Sequence, residues 1–178
     1  CSGEALSVEI QDKVLDRFPQ ANLYNLYGPT EAAIDVTHWT CQQNNRNQVP
    51  IGRPIYNTQT YILSPELDVV PVGVTGELYL GGINLARGYH DRPGLTADRF
   101  IPNPFKNDTN TSHSPRLYRT GDLARYSEDG VIEYMGRIDH QVKIRGLRIE
   151  LGEIEAKLQE QDTVKETVVV AQESPHGK

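Results

Sequence analysis

Cysteine is almost missing from this chain, and its two copies, Cys1 and Cys41, fall at no metal-ligand spacing and cannot build a disulfide framework. Ordinary thiols in a reducing compartment follow, so the expected location is cytoplasmic. A long apolar run is missing too. Nothing approaches the ~18 residues that span a bilayer, and the N-terminus has no charged flank leading into a hydrophobic core; no membrane partner is expected. Positive charge is in deficit, 18 Lys and Arg against 24 Asp and Glu for a net charge of −6. That balance argues against nucleic acid, whose phosphates select clustered cations. An initiating methionine is lacking, and the chain stops shortly after a strand-like run. Both ends read as cut, and segments outside this stretch are expected to complete the core. No internal repeat is apparent.

Local periodicity, by contrast, is plentiful. Leu6, Ile10, Val14 and Phe18 recur at fourfold spacing with Leu15 beside them, which predicts an amphipathic helix over 5–18 that Pro19 stops. Residues 22–27 and 34–39 are rich in Tyr, Ile, Val, Thr and Trp. They predict strands flanking the Gly28-Pro29 turn, with Thr30 and Glu31 on the loop between. Further strands are expected at 60–63, 76–81, 117–119, 123–127 and 131–135, with a short helix opening at Pro93. Asp129-Gly130 marks a tight hairpin turn. Residues 44–47 and 103–115 read as exposed loops. Beyond Gly136 a strand at 141–145, a turn at Gly146, a helix over 152–161 and a strand at 164–171 predict a separate body, with a boundary near Asp139.

Three segments in fixed order stand out: Asn25-Leu-Tyr-Gly-Pro-Thr-Glu31, Tyr118-Arg-Thr-Gly-Asp122 and Gly136-Arg-Ile-Asp-His-Gln-Val-Lys-Ile-Arg-Gly146. Singly, Gly-Pro and Thr-Gly-Asp are common turns. Together they closely resemble the adenylation domains of nonribosomal peptide synthetases, in the superfamily that also holds acyl-CoA ligases and luciferases. Two longer runs, from Gly88 to Phe100 and from Gln141 to Glu155, resemble the peptide-synthetase branch in nearly every position.

The resemblance implies a mixed α/β adenylate-forming (ANL) fold. Residues 1–138 would be the C-terminal portion of the large subdomain, and 139–178 the hinge and truncated start of the small mobile one. It also implies roles. Tyr27 would stack on adenine with Gly28 beside it, Thr30 would lie against the phosphates, and Glu31 would bind Mg²⁺. Asp122 would hold the ribose, Tyr134 would line the nucleotide pocket, and Arg137 would contact ribose and phosphate. A carboxylate accepting sugar hydroxyls and a guanidinium fork on a phosphate are each sound chemistry. Asp139 would be the hinge, and Lys143 and Gly146 would face the site in the thioester-forming conformation. A nucleic-acid role for Arg137, Lys143, Arg145 and Arg148 is diluted by Glu150, Glu153 and Glu155.

By the same resemblance Ser2, Leu26, Ile34 and Asp35 are four lining positions of the amino-acid pocket, and the quartet is similar to an L-serine signature. Ser2 and Asp35 can hydrogen-bond a substrate hydroxyl while Leu26 and Ile34 limit volume, and such a site rejects analogues lacking the hydroxyl. Threonine or another small polar amino acid comes next. The implied reaction joins ATP to the amino acid, releases pyrophosphate, and passes the aminoacyl group to a carrier domain's phosphopantetheine, with condensation domains in the same assembly line. The family's phosphate-wrapping loop and its lysine are not found in this stretch, so the 178 residues alone are expected to be inactive. An acyl-CoA or aryl-acid ligase and a non-catalytic docking segment are the competing expectations.

Overall fold

The computed structural model of the chain describes residues 1–44, 46–105, 114–139, 141–144, 147–161 and 163–172; the side chains of Lys143 and Arg148 lie outside that description. The chain divides into two compact units, Cys1–Gly136 and Arg137–Lys178.

In the first unit, helix α1 spans Val8–Arg17. It begins later than the periodicity predicts because Ser7 caps it, its hydroxyl accepting the Ile10 N–H at 3.2 Å. Its apolar stripe is only half covered: Ile10 and Phe18 are exposed, and Gln11 is its buried residue. Strands β1 (Tyr24–Tyr27), β2 (Thr37–Thr40) and β3 (Arg53–Pro54) form an antiparallel sheet in that order. The strand expected over 34–39 starts only at Thr37, because Ala33 and Ile34 turn through left-handed backbone, φ 59° and 79°.

A larger sheet holds β4 (Thr58–Leu63), β5 (Gly76–Gly82), β6 (Phe100–Pro102), β7 (Arg116–Tyr126) and β8 (Ile132–Arg137). Its order is β4-β5-β7-β6, with β8 also on β7. Helix α2 (Pro93–Arg99), opened by Pro93 at its first turn, lies between β5 and β6 in sequence. The two strands expected at 117–119 and 123–127 are one, and β3 and β6 have no counterpart among the expected strands. Ile62, Leu78, Leu80, Phe100, Tyr118 and Ile132 fill the core with Ala32, Val36 and Ile51 from the segments that connect the strands of the smaller sheet. Backbone bonds from Ile51 and Gly52 to Ile132, at 3.0 and 3.2 Å, tie the two sheets. The predicted hairpin at 127–130 forms, with Gly130 donating to the Ser127 carbonyl at 2.8 Å.

In the second unit, β9 (Val142–Ile144) and β10 (Leu147–Ile149) pair antiparallel ahead of helix α3 (Leu151–Gln159). Gln141 donates its side-chain amide to Glu150. The strand expected over 164–171 does not form. Val168 and Val170 are 81% and 72% exposed, and the Val169 N–H bonds a side chain, Glu155 Oε1 at 2.8 Å, instead of a neighbouring strand. Alternation alone does not make a strand without a backbone to pair with. Among the described residues no helix is long and apolar enough to cross a membrane.

Candidate active site

The Thr-Gly-Asp run is a built bulge. Between the pairs Glu77↔Leu123 and Tyr79↔Arg119, one residue of β5, Leu78, faces three of β7, residues 120–122. Such a bulge re-aims side chains out of the ladder. Thr120 makes it, donating its hydroxyl to the Leu78 carbonyl at 2.7 Å and accepting the Asp122 N–H at 2.9 Å. Gly121 supplies the required positive φ of 75°. Glu77, buried in the sheet, accepts the Gly121 N–H at 3.1 Å, the Arg119 Nε at 3.0 Å and the Tyr79 hydroxyl at 3.1 Å.

The bulge delivers Asp122, itself buried, to Tyr27 at the end of β1: the Tyr27 hydroxyl donates to Asp122 Oδ2 at 2.5 Å. Burial, then the Asp122 charge beside it, pushes the Tyr27 phenol well above its ordinary range, so it stays a neutral donor. Tyr134 packs on the same core and also acts on Tyr27.

After Tyr27 the chain doubles back on itself. A side chain at Gly28 would place Cβ 2.2 Å from the Ile34 carbonyl oxygen, so only glycine permits the approach. The return carries a single 3₁₀ turn, Thr30–Ala32, which leaves Thr30 exposed and buries Glu31 to 7% exposure. Glu31 Oε1 accepts the Tyr89 hydroxyl at 2.8 Å. One predicted element is thereby refined: Thr30 and Glu31 sit on a helical turn, not on open loop.

In the amino-acid quartet, Ser2 and Asp35 meet, the serine hydroxyl donating to Asp35 Oδ1 at 3.1 Å. Ser2 reaches this place because Cys1 runs beside β1, its carbonyl accepting the Leu26 N–H at 2.8 Å. Leu26 is half-buried and Ile34 is 64% exposed. In the second unit Arg137 and Asp139 grip each other through Nε–Oδ1 at 2.6 Å and Nη2–Oδ2 at 2.8 Å, the bidentate fork an arginine favours. Lys143 lies on β9 by its backbone, and Gly146 is outside the described residues.

Glu31 suits a hard cation: it is a buried carboxylate, an oxygen donor, and its neighbour in sequence, Thr30, carries another. Among the described residues no group of three or more His, Cys, Asp or Glu could hold an ion. Mg²⁺ fits such a site, because it takes one or two carboxylates and completes its shell with water and substrate phosphate. The residues that sequence reasoning missed are Tyr89, Glu77, Arg119 and Thr120; Arg119 and Thr120 lie inside the Tyr118–Asp122 run and Tyr89 inside the run from Gly88 to Phe100, while Glu77 had no such signal.

The chain resembles known proteins in family, sequence and fold. The family described as AMP-binding enzyme matches residues 1–90. Phosphinothricin tripeptide synthetase PhsB of Streptomyces viridochromogenes is 56% identical over 95% of this chain and 14% of its own length. Among solved structures, PA1221, a nonribosomal peptide synthetase protein containing adenylation and PCP domains, superposes with TM-score 0.86 at 30% identity, over 98% of this chain and 35% of that one. The Vibrio cholerae adenylation domain AlmE, crystallised with glycyl-adenosine-5'-phosphate, gives TM-score 0.83 at 32% identity, over 98% and 32%. The chain therefore spans a small part of the relatives it matches.

Fold and sequence together define an AMP-binding enzyme of the adenylate-forming kind. Within that class, the chain belongs to the adenylation domains of nonribosomal peptide synthetases.

Proposed function

We propose that the domain containing this chain activates an amino acid with ATP, forming aminoacyl-AMP and pyrophosphate, and loads it onto a carrier domain's phosphopantetheine thiol. The setting is a cytoplasmic assembly line with condensation domains alongside. Residues 1–138 serve as the C-terminal part of the large subdomain, and 139–178 as the hinge and start of the small one.

The observation that carries this reading is the 2.5 Å bond between Tyr27 and Asp122, which come from segments 95 residues apart. An aromatic ring and a carboxylate fastened side by side suit one nucleoside, the ring stacking on adenine while the acid accepts ribose hydroxyls. The Tyr27 phenol on one Asp122 oxygen gives the carboxylate a fixed orientation. Tyr134 walls the pocket, and Gly28 lets the backbone fold close to it. Thr30 donates its hydroxyl to phosphate, and Arg137 is assigned the ribose and phosphate contact. Glu31 would hold Mg²⁺, which when bound neutralises phosphate charge. Asp139 is the pivot, with Lys143 and Gly146 serving the thioester-forming arrangement.

Serine is the proposed substrate. The Ser2–Asp35 pair, bonded at 3.1 Å, is a polar patch that a substrate hydroxyl can join, beside Leu26 and Ile34. ATP–pyrophosphate exchange by the intact adenylation domain tests both levels. Serine is expected to outrun valine; the reverse order removes the serine assignment. Preference for a carboxylic acid without an amino group would overturn amino-acid activation itself.

A further inference from the structure

We infer that Tyr89 is a positioning residue for Glu31, and that the strap of residues 84–89 exists to set that carboxylate toward a divalent cation. The inference rests on the reading of Glu31 as the cation's ligand and adds to it the part that holds the ligand still.

The strap grips the Thr30–Ala32 turn at three points. The Ala86 N–H donates to the Glu31 carbonyl at 2.8 Å, the Asn84 side-chain amide to the Ala32 carbonyl at 3.2 Å, and the Tyr89 hydroxyl to Glu31 Oε1 at 2.8 Å. The first two fix the backbone and the third fixes the carboxylate. The strap is in turn anchored from outside. Arg116 donates to the carbonyls of Arg87 and Ala86 at 2.9 and 3.0 Å while its guanidinium lies 5.2 Å from the centre of the Phe100 ring.

Tyr89 has little freedom of its own. Its N–H donates to Thr96 Oγ1 at 3.0 Å, and its ring meets Phe100 edge-on at 5.8 Å. Its phenol, with that of Tyr118 adjoining, donates to Glu31. The chemistry of that donor matters. A phenol orients one oxygen of Glu31 without itself bringing the positive charge that a lysine or arginine would bring. Partners of metal ligands act in this way, setting orientation and basicity without touching the ion.

The test uses the intact adenylation domain with Tyr89→Phe, Thr96→Val and Glu31→Gln. Binding of Mn²⁺ in the presence of a non-hydrolysable ATP analogue is followed by electron paramagnetic resonance, with half-saturating Mg²⁺ for pyrophosphate exchange alongside. Loss of a ligand's orienting partner weakens metal affinity about tenfold, the shift expected for Tyr89→Phe with the amino-acid KM unchanged. Thr96→Val should move both readouts the same way by less. Lower thermal stability in Tyr89→Phe with cation affinity within twofold of wild type would overturn the inference, showing a structural tyrosine only. If Glu31→Gln also leaves cation binding intact, the ligand reading beneath falls; if Glu31→Gln alone abolishes it, only the role of Tyr89 falls. Should Tyr89→Phe not fold, Thr96→Val decides by the same criterion.

Discussion

The bulge at 120–122 and the turn at 30–32 each depend on a buried glutamate, Glu77 at 8% exposure and Glu31 at 7%, and the bonds seen on the two acids differ. Glu77 faces a guanidinium, a backbone N–H and a phenol; Arg119 cancels its charge. Glu31 takes a phenol on the oxygen that Tyr89 reaches, a bond that adds no positive charge. A buried carboxylate without compensation is costly, and neutralising it is the cheaper arrangement for a purely structural acid. Glu77 builds the loop that presents Asp122, whereas Glu31 is the carboxylate proposed above to hold the cation. Asp122, like Glu31, takes a tyrosine hydroxyl on one oxygen.

Four substitutions and a titration press on that contrast. Glu31→Gln, which keeps shape and removes charge, should slow pyrophosphate exchange by roughly 10²–10³-fold, the loss seen when one transition-state electrostatic contact goes. Its melting curve should barely move; a large loss of stability would place Glu31 with the scaffold. Gly28→Ala should cost roughly 2–3 kcal/mol in urea unfolding, because its Cβ has the Ile34 carbonyl oxygen only 2.2 Å away and backbone must give. Glu77→Gln should lose about 2 kcal/mol of stability, less than a fully buried ion pair because Arg119 is 48% exposed. Its kinetic trace should be a raised KM for ATP with the amino-acid KM unchanged, since the bulge presents Asp122. Tyr27→Phe should raise the ATP KM roughly 10-fold, the lower end of what one hydrogen bond to a charged acceptor is worth, and leave kcat alone.

The smallest effect is a titration. Tyr79 is pushed up to about 12, by burial first and then by the Glu77 charge. A phenol whose folded value is raised stabilises the native state fully below its ordinary pKa near 10, and that contribution disappears as pH climbs through about 12. The stability gap between wild type and Tyr79→Phe should therefore shrink from pH 10 to 12, with phenolate absorbance at 295 nm lagging in the native protein. A gap that stays constant would mean that the folded protein does not hold Tyr79 above its ordinary pKa.

Much of the site was legible because its parts lie in short runs whose residue types are individually informative. Tyr27 and Glu31 share one run and Asp122 sits in another; the structure fastens the first run to the second by the Tyr27–Asp122 bond. The Asp129-Gly130 hairpin was legible for the same local reason. Glu77 and Tyr89 were not. Each acts across the sheet or along a strap, and only the register pairing Glu77 with Leu123, or the fold of 84–89 over the turn, reveals the partner. Ile34 misled in the other direction: a β-branched residue next to a Val-Thr run predicts strand, while the close approach at Gly28 forces it into left-handed backbone at φ 79°. Residues 164–171 alternate as a strand should, but the second unit gives their backbone no strand to pair with among the described residues.

Hydrogen exchange of the intact adenylation domain, measured by mass spectrometry with and without saturating AMP, tests most directly whether the Tyr27 run and the Asp122 bulge serve one nucleotide. Slowed exchange in both 24–32 and 118–124 on AMP binding is the predicted result. Bound AMP that protects only one of these segments, or neither, would contradict it.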